Sequence, residues 1–268
     1  MSMSGSVLHA ATAPRRRTEV AGFGLNVASI RQAVDLAIDC VAQGKGFTFH
    51  TLNLDHVAKL RGSAAFRDSY RRATFVSADG WPIAWLANRA AGRHAVERVA
   101  GADLIEPLLQ AAAERGLPVY LIGPGSPAQT AAIAELKRRA PALVIAGAET
   151  PRVAVDDAKF DRLAMAARIR ASGARLCLVA LGAPKQELLA DALSVHCPSV
   201  GFLCIGAALD FIAGYARRAP LWMRRSGLEW LWRLATEPRR LAARYAACAY
   251  AFLLLGIGAE VFPAEERQ

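Results

Sequence analysis

The chain has 268 residues, 54% of them hydrophobic, and a formal net charge of +10. That is enough for a full core in one α/β domain with an appendage and with apolar surface to spare, and the charge calls for an anionic partner such as nucleic acid, acidic lipid headgroups or a phosphorylated substrate. The five cysteines form no CxxC pair and no zinc spacing, which reads as reduced core thiols in a cytosolic protein.

Met1 to Val20 carries Arg15-Arg16-Arg17 without an apolar stretch behind it, so it does not have the form of a secretory signal and reads as a flexible tail. From there, β-rich runs and helical patterns alternate. The predicted strands are Phe47 to Leu52, Ala73 to Ser77, Val119 to Ile122, Leu143 to Ala146, Leu176 to Leu181 and Val200 to Ile205, each bounded by Gly, Pro, Asp or Asn. The predicted helices are Ser29 to Gln43, Trp81 to Ala91, Ala102 to Arg115, Pro127 to Arg139, Asp157 to Ser172 and Lys185 to His196. Gln43-Gly44, Arg115-Gly116 and Ser172-Gly173 supply glycine stops. The strands are apolar almost throughout, as strands covered on both faces are. The expected fold is therefore α/β, an open, mostly parallel Rossmann-like sheet with helices on both faces. A C-terminal helical, membrane-associating appendage completes it. The domain division is a tail over 1–20, an α/β catalytic domain over 21–210 and an Arg/Trp-rich appendage over 211–268.

In such a sheet ligands bind beyond the carboxyl ends of the strands. Polar residues and glycines gather there: Thr51 to His56, Asp79-Gly80, Gly123 to Ser126, Gly182 to Glu187 and Gly206 to Asp210. Asp79 could serve as a general base in a crevice, or as the cap of a helix opening at Trp81-Pro82; the roles are compatible. Thr51 and Asn53 share one face of an extended segment and could reach a ligand or cap the helix that follows. Gly123-Pro124-Gly125 follows a strand and opens a helix, where a backbone can approach a phosphate, or it is an ordinary βα turn. The dinucleotide fingerprint GxGxxG is incomplete, which disfavours a nucleotide-dependent oxidoreductase. No helix-turn-helix, zinc-finger or RNA-recognition pattern supports a nucleic-acid partner. No Asp-x-Asp occurs, so a cation-held sugar diphosphate is not expected, and arginine forks are the available counter-charge. From Phe211 the chain turns rich in Arg and Trp, and Tyr245 to Ala259 is uncharged yet shorter than the roughly 20 residues a bilayer span needs. That composition suits a helix lying at a membrane surface, or a helix whose apolar run packs on the protein itself.

Taken in order, several motifs recur together. They are Thr51-x-Asn53; Ala78-Asp79-Gly80; Glu97-Arg98-Val99-x-Gly101-x-Asp103-Leu104; Leu181-Gly182-x-Pro184-Lys185-Gln186-Glu187; and Gly206-x-x-x-Asp210-Phe211-x-x-Gly214. Arg218-Ala219-Pro220, Gly227-Leu228-Glu229-Trp230-Leu231-Trp232-Arg233 and Glu237-Pro238-x-Arg240 follow. The chain from Gly22 to Tyr245 thereby resembles the WecG/TagA/CpsF family, glycosyltransferase family 26.

The resemblance implies an inverting, metal-independent transferase without a cofactor, which moves a sugar from a UDP-sugar donor to a polyprenyl-diphosphate-linked saccharide at the cytoplasmic face of the cell membrane. It implies Asp79 as general base, Thr51 and Asn53 beside it on the acceptor side, and Arg98 in the pocket. Gly182, Gln186 and Asp210 correspond to nucleotide-holding positions, with Gly123 and Gly125 nearby. Arg233, Arg240 and Arg244 correspond to arginines of an appendage that closes over the site and meets the membrane. The family often has two adjacent basic residues before its tyrosine, whereas this chain reads Ala243-Arg244. In one continuous helix the three arginines would share a face, but Pro238 is expected to start a new helix, leaving Arg240 and Arg244 at i and i+4. A chain cut near Ile212 is expected to fold but transfer poorly. Self-association through the apolar tail is compatible with the sequence.

Overall fold

A computed structural model describes residues 18–92, 96–151, 160–259 and 261–262. Residues 1–17, most of the expected tail, lie outside it; Thr18–Val20 form a strand. In chain order the elements are β1 (Thr18–Val20), β2 (Phe23–Leu25), α1 (Ile30–Ala42), β3 (Phe47–Leu52), α2 (Leu54–Leu60), α3 (Ala64–Arg72), β4 (Phe75–Ala78), α4 (Trp81–Ala91), α5 (Gly101–Glu114) and β5 (Val119–Ile122). They continue with α6 (Ser126–Arg139), β6 (Ile145–Glu149), α7 (Arg162–Ala171), β7 (Leu176–Val179), α8 (Lys185–Ser194), β8 (Gly201–Cys204), α9 (Ala208–Ile212), α10 (Leu221–Arg225), α11 (Glu229–Thr236) and α12 (Pro238–Gly256).

Six strands form one parallel sheet in the order β4-β3-β8-β7-β5-β6, and β1 and β2 form a small antiparallel hairpin. The α/β, Rossmann-like architecture expected from the apolar runs is present. Period-two alternation sends Leu176 and Leu178 into a core with α1, α5 and α6 on one side, while Cys177 and Val179 meet α7 and α8 on the other. Burial on both faces is why these strands read as continuous apolar runs. All five cysteines are free, and Cys177 and Cys204 are buried in strands.

Three departures are local. The fourth and sixth strands begin two residues later than expected, because Ala73 caps α3 and Leu143 turns into the core before β6 starts. Helix α3, capped by Ser63, was not expected. Its Arg67 is only 2% exposed and donates to the Leu60 and Arg61 carbonyls, so a buried charge interrupts the apolar period that would have marked the helix. The start predicted for α7, at Asp157, lies outside the described residues; the helix is seen from Arg162, capped by Asp161.

The C-terminal segment does not stand apart. Pro238 opens α12 as expected, and α12 returns along α2 and α4. Its Ala251 is fully buried in a core shared with Leu52, Val57, Leu60 and Ile83. The opposite side leaves Tyr250, Leu253 and Ile257 exposed. The apolar run therefore both packs on protein and faces outward. No helix among the described residues is long and apolar enough to cross a membrane.

Candidate active site

All six parallel strands present their carboxyl ends on one side, and the polar residues singled out in the sequence follow those ends. Residues Asp79 and Asn53 come from the adjacent strands β4 and β3, paired at Ala78 and Leu52. The Asp79 amide donates to the Leu52 carbonyl at 2.8 Å, which brings the two strand ends together. Asn53 Nδ2 then donates to Asp79 Oδ2 at 3.1 Å, while Asn53 Oδ1 accepts the His56 amide at 2.9 Å as the N-cap of α2. Asn53 both caps and orients, so the two sequence readings are realised in one side chain. Asp79 does not cap α4: Gly80 takes the cap position at φ +88°, without a side-chain cap bond. The Asp79 carboxyl is left for other work.

Burial raises the Asp79 carboxyl above its ordinary value, the Asn53 bond and Arg98 lower it, and Glu229 and Asp103 raise it. Thr51 is buried in β3, and its carbonyl accepts the Tyr70 hydroxyl at 2.9 Å. Tyr70 also lies 2.7 Å from His56 Nδ1, which anchors the floor below the Asn53–Asp79 pair.

Arg98 stands beside the end of β4 because the Val99 amide donates to the Ala78 carbonyl at 2.7 Å and Ser77 Oγ to the Val99 carbonyl at 2.9 Å. Its ion pair is with Asp103, 2.6 Å away at the start of α5, not with Asp79. Arg218 meets the same Asp103 at 2.7 Å and Glu229 at 3.4 Å, and Arg224 comes within 3.9 Å of Asp103. These charged residues of α10, α11 and the segment before them are brought to Asp103 only by the fold, and Glu229 thereby bears on Asp79. Asp103, Arg218 and Glu229 all stand in the sequence motifs, but no local pattern there assigns them a task.

On the other strands, Gly123 follows β5 at φ +75°, where an added Cβ would lie 2.5 Å from the Ala180 carbonyl oxygen. Gly125 precedes α6 and faces open space. Gln129 Nε2 ties the turn by donating to the Gly123 and Glu149 carbonyls. Gly182 follows β7 with space around it, and Asp210 lies partly exposed on α9, its carboxyl raised by burial. Gln186 is 2% exposed, donates to Glu187 Oε1 at 2.8 Å and accepts the Gly206 amide at 3.0 Å. In this arrangement it braces the turns after β7 and β8 from inside. Glu187 is fully buried, and burial foremost raises its carboxyl to about 7.

Among the appendage arginines, Arg244 reaches the catalytic body directly. It pairs with Asp55 Oδ2 of α2 at 2.7 Å, the oxygen that Lys59 Nζ also holds at 2.7 Å. Lys59 in turn donates to the Ala183 carbonyl at 3.0 Å, in the turn after β7. Arg240 pairs with Glu237 of its own segment. Glu237 is held low by that bond, and Arg233 adds to the effect. Arg233 and Arg244 both act on Tyr245, whose hydroxyl burial raises, so the three arginines flank the α11–α12 junction. Among the described residues, no group of three or more His, Cys, Asp or Glu side chains could hold a metal ion.

A parallel α/β sheet with an oriented carboxylate, glycine turns and arginines over its carboxyl edge is the layout of a group-transfer enzyme handling an anionic donor. The family model described as glycosyl transferase WecG/TagA/CpsF family matches residues 18–265, and the chain belongs to that family. It is accordingly a glycosyltransferase of cell-surface polysaccharide synthesis, working between a sugar-nucleotide donor and a saccharide acceptor.

Proposed function

We propose that the chain transfers a sugar with inversion from a UDP-sugar to a polyprenyl-diphosphate-linked saccharide, without a metal, at the cytoplasmic face of the membrane. Asp79 takes the proton of the acceptor hydroxyl as that oxygen attacks the anomeric carbon, and the nucleoside diphosphate leaves from the opposite side. The observation that carries this reading is the Asn53–Asp79 bond, which aims a partly buried carboxylate from a strand end and leaves it uncommitted as a cap. Such a base contributes about 10²–10⁴-fold in rate.

Arg233, Arg240 and Arg244 meet the charge that grows on the leaving diphosphate; one well-placed donor of this kind is worth about 3 kcal/mol. Support comes from Arg244, which the Asp55–Lys59–Ala183 chain of contacts places near the turn that carries Gly182. Gly123, Gly125, Gly182 and Asp210 line the nucleotide side, with Gln186 shaping its turns, Thr51 stands with Asn53 on the acceptor side, and Arg98 belongs to the pocket. Membrane attachment is supported by exposed Trp222, Trp230, Leu231, Leu253 and Ile257 among the appendage arginines.

The test is transfer from a panel of UDP-sugars to a short-chain lipid-diphosphate saccharide with EDTA present, beside Asp79→Asn. Transfer that survives EDTA and collapses in the variant is expected. An active Asp79→Asn enzyme, or failure of UDP to bind, would remove the reading.

A further inference from the structure

Charged side chains from four parts of the chain alternate in sign along one line of ion pairs beside Asp79. Arg98 pairs with Asp103 at 2.6 Å, Asp103 with Arg218 at 2.7 Å, and Arg218 with Glu229 at 3.4 Å. Asp103 and Glu229 both act on Asp79. Arg218 Nη1 also donates to the Ala102 carbonyl at 3.3 Å, and Arg224 approaches Asp103 at 3.9 Å. None of these carboxylates or guanidiniums is more than about a quarter exposed: Arg98 is at 26%, Asp103 at 16%, Arg218 at 17% and Glu229 at 25%.

Two close approaches pack together the segments that carry these residues. Gly101 lets the start of α5 press on the end of β8, since an added Cβ would be 2.8 Å from Ile205 Cα. Gly227 lets the α10–α11 turn press on the first residue of α4, with an added Cβ 3.1 Å from Trp81 Cβ. The C-terminal segment is thus seated against Trp81, the residue that follows the Asp79-Gly80 turn.

The consequence concerns Arg98. The backbone of its neighbour Val99 is bonded to the end of β4, and the Arg98 guanidinium is within electrostatic reach of Asp79. If it closed on Asp79 as a direct ion pair it would hold that carboxylate ionised and make it a poor proton acceptor. Asp103 gives Arg98 another partner.

We propose that Asp103 is a positioning residue for Asp79: it holds Arg98 away from the Asp79 carboxylate and, through Arg218, seats Glu229 of α11 as the second carboxylate facing it. Docking of the C-terminal segment and readiness of the base then become one event, because undocking removes Glu229 and releases Arg218 from Asp103. The inference rests on Asp79 being the base. The other groups bearing on Asp79 are Asn53 and Tyr70, and they belong to the catalytic body whether the segment is docked or not.

The test reads Asp79 directly, without a ligand. The full chain is labelled with 13Cγ-aspartate, the Asp79 resonance is identified by its loss in Asp79→Asn, and its titration is followed in Asp103→Asn and Glu229→Gln. Both variants are expected to lower the Asp79 midpoint, by roughly one pH unit in Asp103→Asn, and to slow transfer. Melting temperature is recorded for each; if Asp103→Asn does not fold, Glu229→Gln, at a partly exposed position, decides. A folded variant whose melting temperature falls while the Asp79 midpoint stays put overturns the proposal and leaves a purely structural ion cluster. Full transfer by Asp79→Asn would instead sink the base assignment, whatever the titrations show.

Discussion

Asn53 donates to Asp79 Oδ2 at 3.1 Å with the same side chain that caps α2 through His56 N. One amide thus links a catalytic candidate to the stability of a helix, and the two duties can be separated. Serine is as good a cap as asparagine but too short to reach the neighbouring strand end. Asn53→Ser is expected to melt close to the parent and to transfer sugar more slowly, whereas Asn53→Ala loses about 1 kcal/mol of stability as well. Thermal melts beside transfer rates check this; equal rates in Asn53→Ser and the parent would show that the bond to Asp79 has no part in the reaction.

Glu187 makes stability depend on pH. Its carboxyl is raised from 4.5 to about 7, chiefly by burial, so the folded state binds its proton more tightly than the unfolded chain does. The contribution is fully present below pH 4.5 and is lost as pH rises through about 7. Glu187→Gln keeps an acceptor for Gln186 and removes the titration. Denaturant melts between pH 5 and 8 are expected to show a flatter curve in the variant, with a difference on the order of 2–3 kcal/mol across that range. Parallel curves would exclude Glu187 as the titrating group.

Gly123 and Gly125 are two residues apart and should fail differently. At Gly123 both the positive φ and the Ala180 carbonyl oppose a Cβ, so Gly123→Ala is expected to cost more than about 2 kcal/mol. Gly125 has open space and an ordinary φ of −56°, so Gly125→Ala keeps the fold and weakens only the approach of a ligand to the α6 N-terminus. Melts and UDP titrations of the two variants give the comparison; unchanged UDP binding in Gly125→Ala would place the nucleotide elsewhere.

Arg244 and Arg240 share a helix face but not an environment. Arg244→Ala leaves Asp55, which is 8% exposed, with Lys59 alone, and a loss of about 1–2 kcal/mol is expected. Arg240 forms an exposed pair with Glu237, and its removal should change stability by less than about 0.5 kcal/mol. If both serve the leaving diphosphate, both lose transfer, on the order of 10²-fold each. A fully active, stable Arg240→Ala would withdraw Arg240 from that role.

The return of α12 along α2 changes what a truncation would show. A chain ending at Ile212 loses the buried Leu241, Cys248 and Ala251 and uncovers the α2 surface beneath them. It is expected to melt well below the full chain, so its inactivity would say little about membranes. Replacing Trp222, Leu253 and Ile257, which are 61%, 64% and 78% exposed, by glutamine leaves that core intact. Sedimentation with anionic phospholipid vesicles should then fall while the melting temperature holds; undiminished sedimentation would remove these side chains from membrane contact.

Some of this was legible in the sequence because it is local. Strands buried on both faces are apolar residue by residue, helix stops are written as glycines, and carboxyl-end turns collect the polar residues of an α/β sheet. The place of Asp79 at a strand end and the start of α12 at Pro238 followed from such patterns, and the ordered motifs pointed to the family. Periodicity says which way a residue faces, but not which residue it meets. The meeting of Asp103 with Arg218 and Glu229, the hold of Asp55 on Arg244 and the inward turn of Gln186 join segments far apart in the chain, and α3 stayed hidden because its buried Arg67 breaks the apolar pattern. Those contacts exist only once the sheet has set the order of its strands, and ion pairs depend on distances that no spacing along the chain encodes.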